Sequence, residues 1–325
     1  MQNEDVTFVT ETHAPRLSSL AKKGIMLGTS SWIYEGWRGQ VYNKDYSGKR
    51  TNFLKTRFQK EALSEYSTTF PTTCFDGAYW RFPTYDQLKG YADQTPEGFK
   101  MALKVTDTVT ARELRERGKP SVPNSSYLDP VAFTRGVLEP AKAALGSKLG
   151  PIIFEFSPFF FGSSFGPQDG YEPLAFVRDL HRFLEQIPSE AKYAVEVRDP
   201  VLINPPFTRY LDCLNYHGVS HVLNEQTWMP PLEEQIKIPH IFTADFAVVR
   251  ALVRPGVKHN DAVEEFGPYN RTQLVLPKMR RAITDLIVNQ LEFERQLYAY
   301  INNRSEGNAP NTIAGVLELL DEFDL

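Results

Sequence analysis

Short runs rich in β-branched and aromatic residues recur along the chain, separated by stretches with helical spacing. The runs are Ile25–Thr29, Thr72–Asp76, Lys100–Thr106, Ile152–Ser157, Tyr193–Arg198, Val219–Asn224, Phe246–Leu252 and Leu297–Asn302. Apolar runs of this length bounded by turn residues predict strands buried on both faces. Between them the spacing predicts helices over Thr51–Tyr66, Thr84–Gln94, Pro130–Gly146, Pro173–Gln186, Pro206–Tyr216 and Asn270–Gln296, with Thr312–Phe323 closing the series. Between Asn224 and Asp245 the pattern weakens at Pro230, Pro231 and Pro239, which predicts a loop with a short helix. Residues 1–23 are polar and aperiodic and carry Pro15, so a poorly ordered tail is expected there, or one lying across the surface. Strict β/α alternation without a linker predicts one α/β domain over residues 24–325, a (β/α)₈ TIM-type barrel. An open doubly wound sheet is the alternative, but Gly28-Thr29-Ser30-Ser31 lacks the glycine-rich turn such a sheet uses for dinucleotides.

Alternate residues of a strand share a face. Val195 and Val197 then face the helices while Glu196 and Arg198 face the barrel interior. The same parity turns Glu155 and Lys104 inward. Arg250 shares its face with Phe246 and Val248, a side that the pattern alone leaves ambiguous. Tyr298, Tyr300 and Asn302 share one face. Charges inside a barrel must pair or reach water, since isolated burial costs several kcal/mol. Active sites of this fold sit at the C-terminal ends of the strands. A polar pocket holding Lys104, Glu155, Glu196, Arg198 and Arg250 is therefore expected, the alternative being a self-satisfied ion-pair network that plugs the barrel. Two glutamates against three cations would leave about one positive charge for a ligand anion.

Composition narrows the function. Among 325 residues, 42% are hydrophobic, enough for a large core. Lys and Arg number 36 against 40 Asp and Glu, a net charge of −4, which argues against nucleic acid as a partner. No apolar run reaches the roughly 20 residues a membrane span needs, and residues 1–20 have no signal-peptide core. A soluble, cytoplasmic protein is expected, with its oligomeric state open. Two cysteines, Cys74 and Cys213, exclude a disulfide scaffold.

The ordered motifs resemble a family. Gly28-Thr29-Ser30-Ser31-Trp32 with Trp37-Arg38-Gly39 and Tyr42 is similar to the opening block of the YecE-like family, domain of unknown function 72. Tyr79-Trp80-Arg81-Phe82-Pro83, Thr95-Pro96-Glu97-Gly98-Phe99 with Lys104, Leu149-Gly150-Pro151 leading to Phe154-Glu155-Phe156, Ala194 to Arg198, and Asn302-Asn303 with Gly307 and Ala309-Pro310-Asn311 follow in family order. The resemblance spans about residues 24 to 322. It implies a TIM-type barrel related to sugar isomerases, without an assigned activity. Cys74 stands where the family carries Glu, Ala111 near an expected His, Glu155 for a usual Gln and Asp199 for a usual His. These motifs and the strand ends put Trp32, Trp37, Arg38, Asp76, Tyr79, Arg81 and Asn302 among the expected substrate contacts.

Several chemistries fit poorly. Glycoside hydrolysis needs a carboxylic acid beside a second carboxylate, and Lys104 and Arg198 would keep Glu155 and Glu196 ionised. A catalytic metal needs clustered His, Asp and Glu at strand ends. Of the six histidines only His221 lies in a strand, and His181 and His217 read as packing residues on helices. Cys74 reads as a buried structural thiol. No cofactor is implied. Trp32, Tyr34, Trp37, Tyr79, Trp80 and Phe159 to Phe161 fall in loops after strands, where they could stack on sugars or cap the mouth. The expected function is a barrel enzyme on a small polar or anionic ligand, sugar-like or phosphorylated. Arg198, Lys104 and Arg250 would hold the ligand, and Glu155 or Glu196 would move a proton. A non-catalytic binding barrel and a metal-dependent nucleic-acid or phosphoester hydrolase are the alternatives.

Overall fold

The structure is a computed structural model and describes residues 6–47, 53–114, 121–161, 163, 166–167 and 169–323. Residues 51–52 of the expected second helix and 1–5 of the expected tail lie outside the described residues. All eight expected strands form: β1 (Ile25–Thr29), β2 (Thr72–Phe75), β3 (Lys100–Lys104), β4 (Leu149–Phe156), β5 (Tyr193–Val197), β6 (Ser220–Glu225), β7 (Phe246–Ala251) and β8 (Gln296–Ile301). Each pairs in parallel with its neighbours in chain order, and β8 pairs with β1 from Ile25 opposite Leu297 to Thr29 opposite Ile301, so the sheet closes into an eight-stranded barrel. The β1–β2 seam depends on a glycine. A Cβ on Gly28 would stand 2.1 Å from the carbonyl oxygen of Thr72.

Helices surround the strands: α1 (Thr10–Lys22), α2 (Lys55–Tyr66), α3 (Tyr85–Ala92), α4 (Glu139–Leu145), α5 (Pro173–Gln186), α6 (Arg209–His217), α7 (Pro277–Glu292) and α8 (Ala309–Leu320). Between β6 and β7 only the short helix Leu232–Gln235 forms, as the three prolines imply. Ends follow local chemistry. Pro173 and Pro277 open α5 and α7, where a missing N–H is harmless. Gly218, in the left-handed region at φ 62°, stops α6. Among the described residues no helix is long and apolar enough to cross a membrane.

The N-terminal segment differs from the aperiodic tail its composition suggests. From Thr10 it is helical, and Phe8, Leu17 and Leu20 are buried. Pro15 removes one backbone hydrogen bond, and tertiary contacts outweigh that loss. Phe8 donates its N–H to Asn311 Oδ1 at 2.9 Å, its ring stacks on Phe70, and Arg16 donates to the Leu317 carbonyl at 2.6 Å. α1 is thus fastened to α8.

Strand parity sets two cores. Ile152, Phe154, Val195, Val197, Met101 and Leu103 pack outward against the helices. Cys74, Ala102, Ile153, Ala194, Val222 and Val248 fill the barrel with Tyr298 and Tyr300. Arg250, on the face of Phe246 and Val248, therefore points inward.

One buried ion pair ties the last third of the chain. Arg280 on α7 and Glu306 are both fully buried, with Nη2 to Oε2 at 2.8 Å and Nε to both carboxylate oxygens at 3.0 Å. Glu306 also accepts the Leu276 N–H at 2.5 Å. Gly315 on α8 gives Arg280 room, since a Cβ there would lie 2.2 Å from its Nη1. The pair fixes the turn Asn303–Glu306 just beyond β8. Glu306→Ala leaves a buried guanidinium without its partner and is expected to destabilise the fold by about 3–5 kcal/mol in urea denaturation.

Candidate binding site at the barrel mouth

At the C-terminal ends of the strands the apolar filling gives way to charge. Arg250, only 1% exposed, reaches across the barrel from β7. Its Nη1 donates to Glu196 at 2.5 Å and Glu155 at 3.2 Å, and its Nη2 donates to Asp76 at 2.8 Å. Lys104 meets Glu155 at 2.6 Å. Arg198 meets Glu155 at 2.7 Å and Glu196 at 3.0 Å. Glu155 and Glu196 stand at matched positions on adjacent strands, which would repel without the cations between them. Three cations and three carboxylates thus form a neutral knot. The positive charge expected to remain for a ligand is taken by Asp76, which the turn Asp76–Tyr79 after β2 swings over Arg250.

The knot fixes the protonation of Glu155. Burial alone would raise the Glu155 carboxyl, but Arg198 above all, with Lys104 and Arg250, holds it well below the usual carboxylate range. It stays ionised and suits a fixed charge better than a proton carrier. Burial lowers the Arg250 guanidinium, and Asp76 and Glu196 more than reverse that. Burial pushes the Cys74 thiol well up, and its Sγ lies 3.4 Å from Asp76 Oδ1, in keeping with a structural thiol.

Above the knot opens a cavity of about 540 Å³. Of the expected site residues, Asp76, Tyr79, Lys104, Glu155, Arg198 and Arg250 line it, and Glu196 lies in the knot beneath. The other five do not line it. Trp32 and Trp37 are buried in the packing between strands and helices, with Trp37 Nε1 donating to Asn303 Oδ1 at 3.2 Å. Arg38 stacks over Phe53, and Arg81 is exposed. Asn302 is buried and accepts the Arg304 N–H at 3.0 Å, so it positions the segment carrying Arg304. Of the expected aromatics, Tyr79 and Trp80 reach the cavity, and Lys104 Nζ sits 4.2 Å from the Tyr79 ring centre. Phe159 and Phe161 stack on each other beside Phe176.

Sequence reasoning missed Gln226 and Trp228 after β6, Lys258 after β7 and Arg304 after β8, all lining the cavity. Their position just beyond strand ends was the available signal. Among the described residues neither Lys258 nor Arg304 has an ion-pair partner, and Arg304 Nε and Gln226 Nε2 are buried without a hydrogen-bond partner.

His221 and Glu225 share a different face. On β6 they alternate with Val222 and Asn224 and lie under the helices. His221 bonds the Tyr210 hydroxyl at 3.1 Å, and burial lowers it to about 3. Glu225 accepts the Leu232 N–H at 3.2 Å, and burial raises it to about 7.

The fold and its charged mouth define a TIM-type barrel with a polar pocket at the C-terminal strand ends. The family model described as protein of unknown function DUF72 matches residues 26–324, and the chain belongs to that family. A DUF72 family protein from Enterococcus faecalis has a similar structure, with TM-score 0.60 at 17% identity, covering 93% of this chain and 96% of that one. One from Thermotoga maritima gives TM-score 0.56 at 19% identity, covering 93% and 99%. No curated protein matches the sequence. No named relative supports a specific substrate or activity.

Two outcomes are expected. Glu196→Ala strips Arg250 and Arg198 of a buried partner and should destabilise by about 3–5 kcal/mol in urea denaturation. Glu225 keeps a proton in the folded state from about 4.5, its ordinary value, up to about 7, so stability falls as pH rises through that window. Glu225→Gln removes this loss. In denaturation at about pH 4 the variant should match the parent, and at about pH 8 it should be more stable by about 3 kcal/mol.

Proposed function

We propose that the mouth binds a small polar anion, sugar-like or phosphorylated, on which the barrel acts as an enzyme. The observation that carries this is the pair of cations, Arg304 and Lys258, that line the cavity with no ion-pair partner among the described residues. They stand above a knot whose own charges cancel. A guanidinium fork with an unpartnered Nε suits the oxygens of a phosphate, sulfate or carboxylate. Tyr79, Trp80 and Trp228 flank the cavity and offer ring faces to an apolar sugar face. In catalysis Arg304 and Lys258 would act electrostatically, stabilising charge that develops on the bound group.

One observation favours a second reading, a binding barrel without turnover. Both expected proton carriers, Glu155 and Glu196, are engaged by arginines, and Glu155 is held ionised. Cavity carboxylates locked by cations make poor general acids.

Inorganic phosphate separates the anion site from its absence. At constant ionic strength, millimolar phosphate should raise the melting temperature in a saturable way, because a ligand of the folded state alone stabilises it. Arg304→Gln should abolish most of that rise while leaving the unliganded melting temperature within about 2 °C, as befits a partly exposed side chain. Equal melting curves with phosphate and chloride would overturn the anion reading.

A further inference from the structure

The outer helix layer holds a second cluster, far from the mouth. Cys213 and His217 stand one turn apart on α6 and therefore share a face. His181 stands on the neighbouring helix α5. His181 Nδ1 lies 2.8 Å from His217 Nε2. One ligand atom from each of the three residues falls within 4.8 Å of the others. His181 Nε2, on the far side of its ring, lies 3.3 Å from Glu185 Oε1, one turn along α5.

We propose that His181, Cys213 and His217 form a zinc site clipping α5 to α6. Two imidazole nitrogens and a thiol converge from two helices. That donor set selects a borderline-soft ion such as Zn²⁺ over magnesium, calcium or manganese. Zn–N and Zn–S distances of about 2.0 and 2.3 Å set tetrahedral edges of about 3.3–3.6 Å, within reach of small side-chain rotations here. Zinc would replace the imidazole–imidazole hydrogen bond and take the thiol as thiolate, releasing its proton to solvent. Glu185 already holds the outer nitrogen of His181. This is the carboxylate–histidine–metal order that fixes a ligand's tautomer and orientation. Water would take the fourth position, since His181 is half-exposed.

The location assigns a structural role. α6 ends at His217, and β6 begins at Ser220. The cluster therefore sits toward the end where strands enter, opposite the cavity. In this fold that end serves stability rather than chemistry.

The test uses the full chain, treated with chelator, desalted and titrated with Zn²⁺ and with Co²⁺. The expected result is one saturable equivalent of zinc per chain and a higher melting temperature. Cobalt should give a thiolate charge-transfer band. The chain has 2 cysteines, and Cys74 lies inside the barrel, so such a band reports Cys213. His181→Gln, at a half-exposed position, should remove the zinc-dependent rise in melting temperature. Glu185→Gln should weaken binding by about 10- to 100-fold. Cys213→Ser should abolish the cobalt band; if that variant fails to fold, loss of the band in His181→Gln decides. The absence of a saturable equivalent, the absence of a thiolate band, or unchanged affinity in His181→Gln would overturn the site.

Discussion

Everything at the mouth depends on the neutral knot of Arg250, Arg198 and Lys104 with Glu155, Glu196 and Asp76. Lys104, Glu155, Glu196 and Arg250 come from β3, β4, β5 and β7, and Asp76 and Arg198 come just past β2 and β5, so each ion pair also fixes the relation between strands or the segments that follow them. In a low-dielectric interior such charges are tolerable only as a complete set. Remove one member and the buried charges of the rest no longer cancel. The knot therefore acts as the top layer of the barrel core, doing with charge what Ile153, Ala194 and Val248 do below it with apolar contact.

The parity of apolar residues made the barrel and its inward charges legible. Val195 and Val197 could face only the helices, which turned Glu196 and Arg198 inside. Parity could not supply Asp76 as the partner of Arg250, because Asp76 sits in a turn past β2 and its direction is set by that turn. The tryptophans misled for a related reason. Trp32 and Trp37 follow a strand as binding aromatics would, but their loop folds back into the helix layer. Arg304 lies in the one-turn helix Asn303–Glu306 and Lys258 at the cap of the short helix His259–Phe266, where too few residues repeat for periodicity to point a side chain. Likewise, His217 and Cys213 read separately as a packing residue and a lone cysteine, and only the packing of α5 on α6 brings His181 to them.

The mouth thus has two tiers with different duties. The lower tier contains the charged residues that look most catalytic in the sequence, and their charges are spent on one another. The upper tier contains Lys258 and Arg304, which have no ion-pair partner among the described residues. Asn302, Asn303 and Glu306 join the tiers by anchoring the turn that presents Arg304, through the Arg280 pair and the Trp37 bond.

The fastening of α1 to α8 bears on how the chain reaches this state. Phe8 and Asn311 are partners across 303 positions of sequence, and β1 finds its second edge only on β8. During synthesis the N-terminal helix and the first strand emerge long before the segments that cover them. Until then β1 presents an unpaired edge and α1 an unburied Leu17–Leu20 face, surfaces that invite association with other chains. Barrel closure is therefore a late, non-local event, and such high-contact-order steps are slow. Between translation of residue 25 and residue 301 these two surfaces have no native partner to cover them.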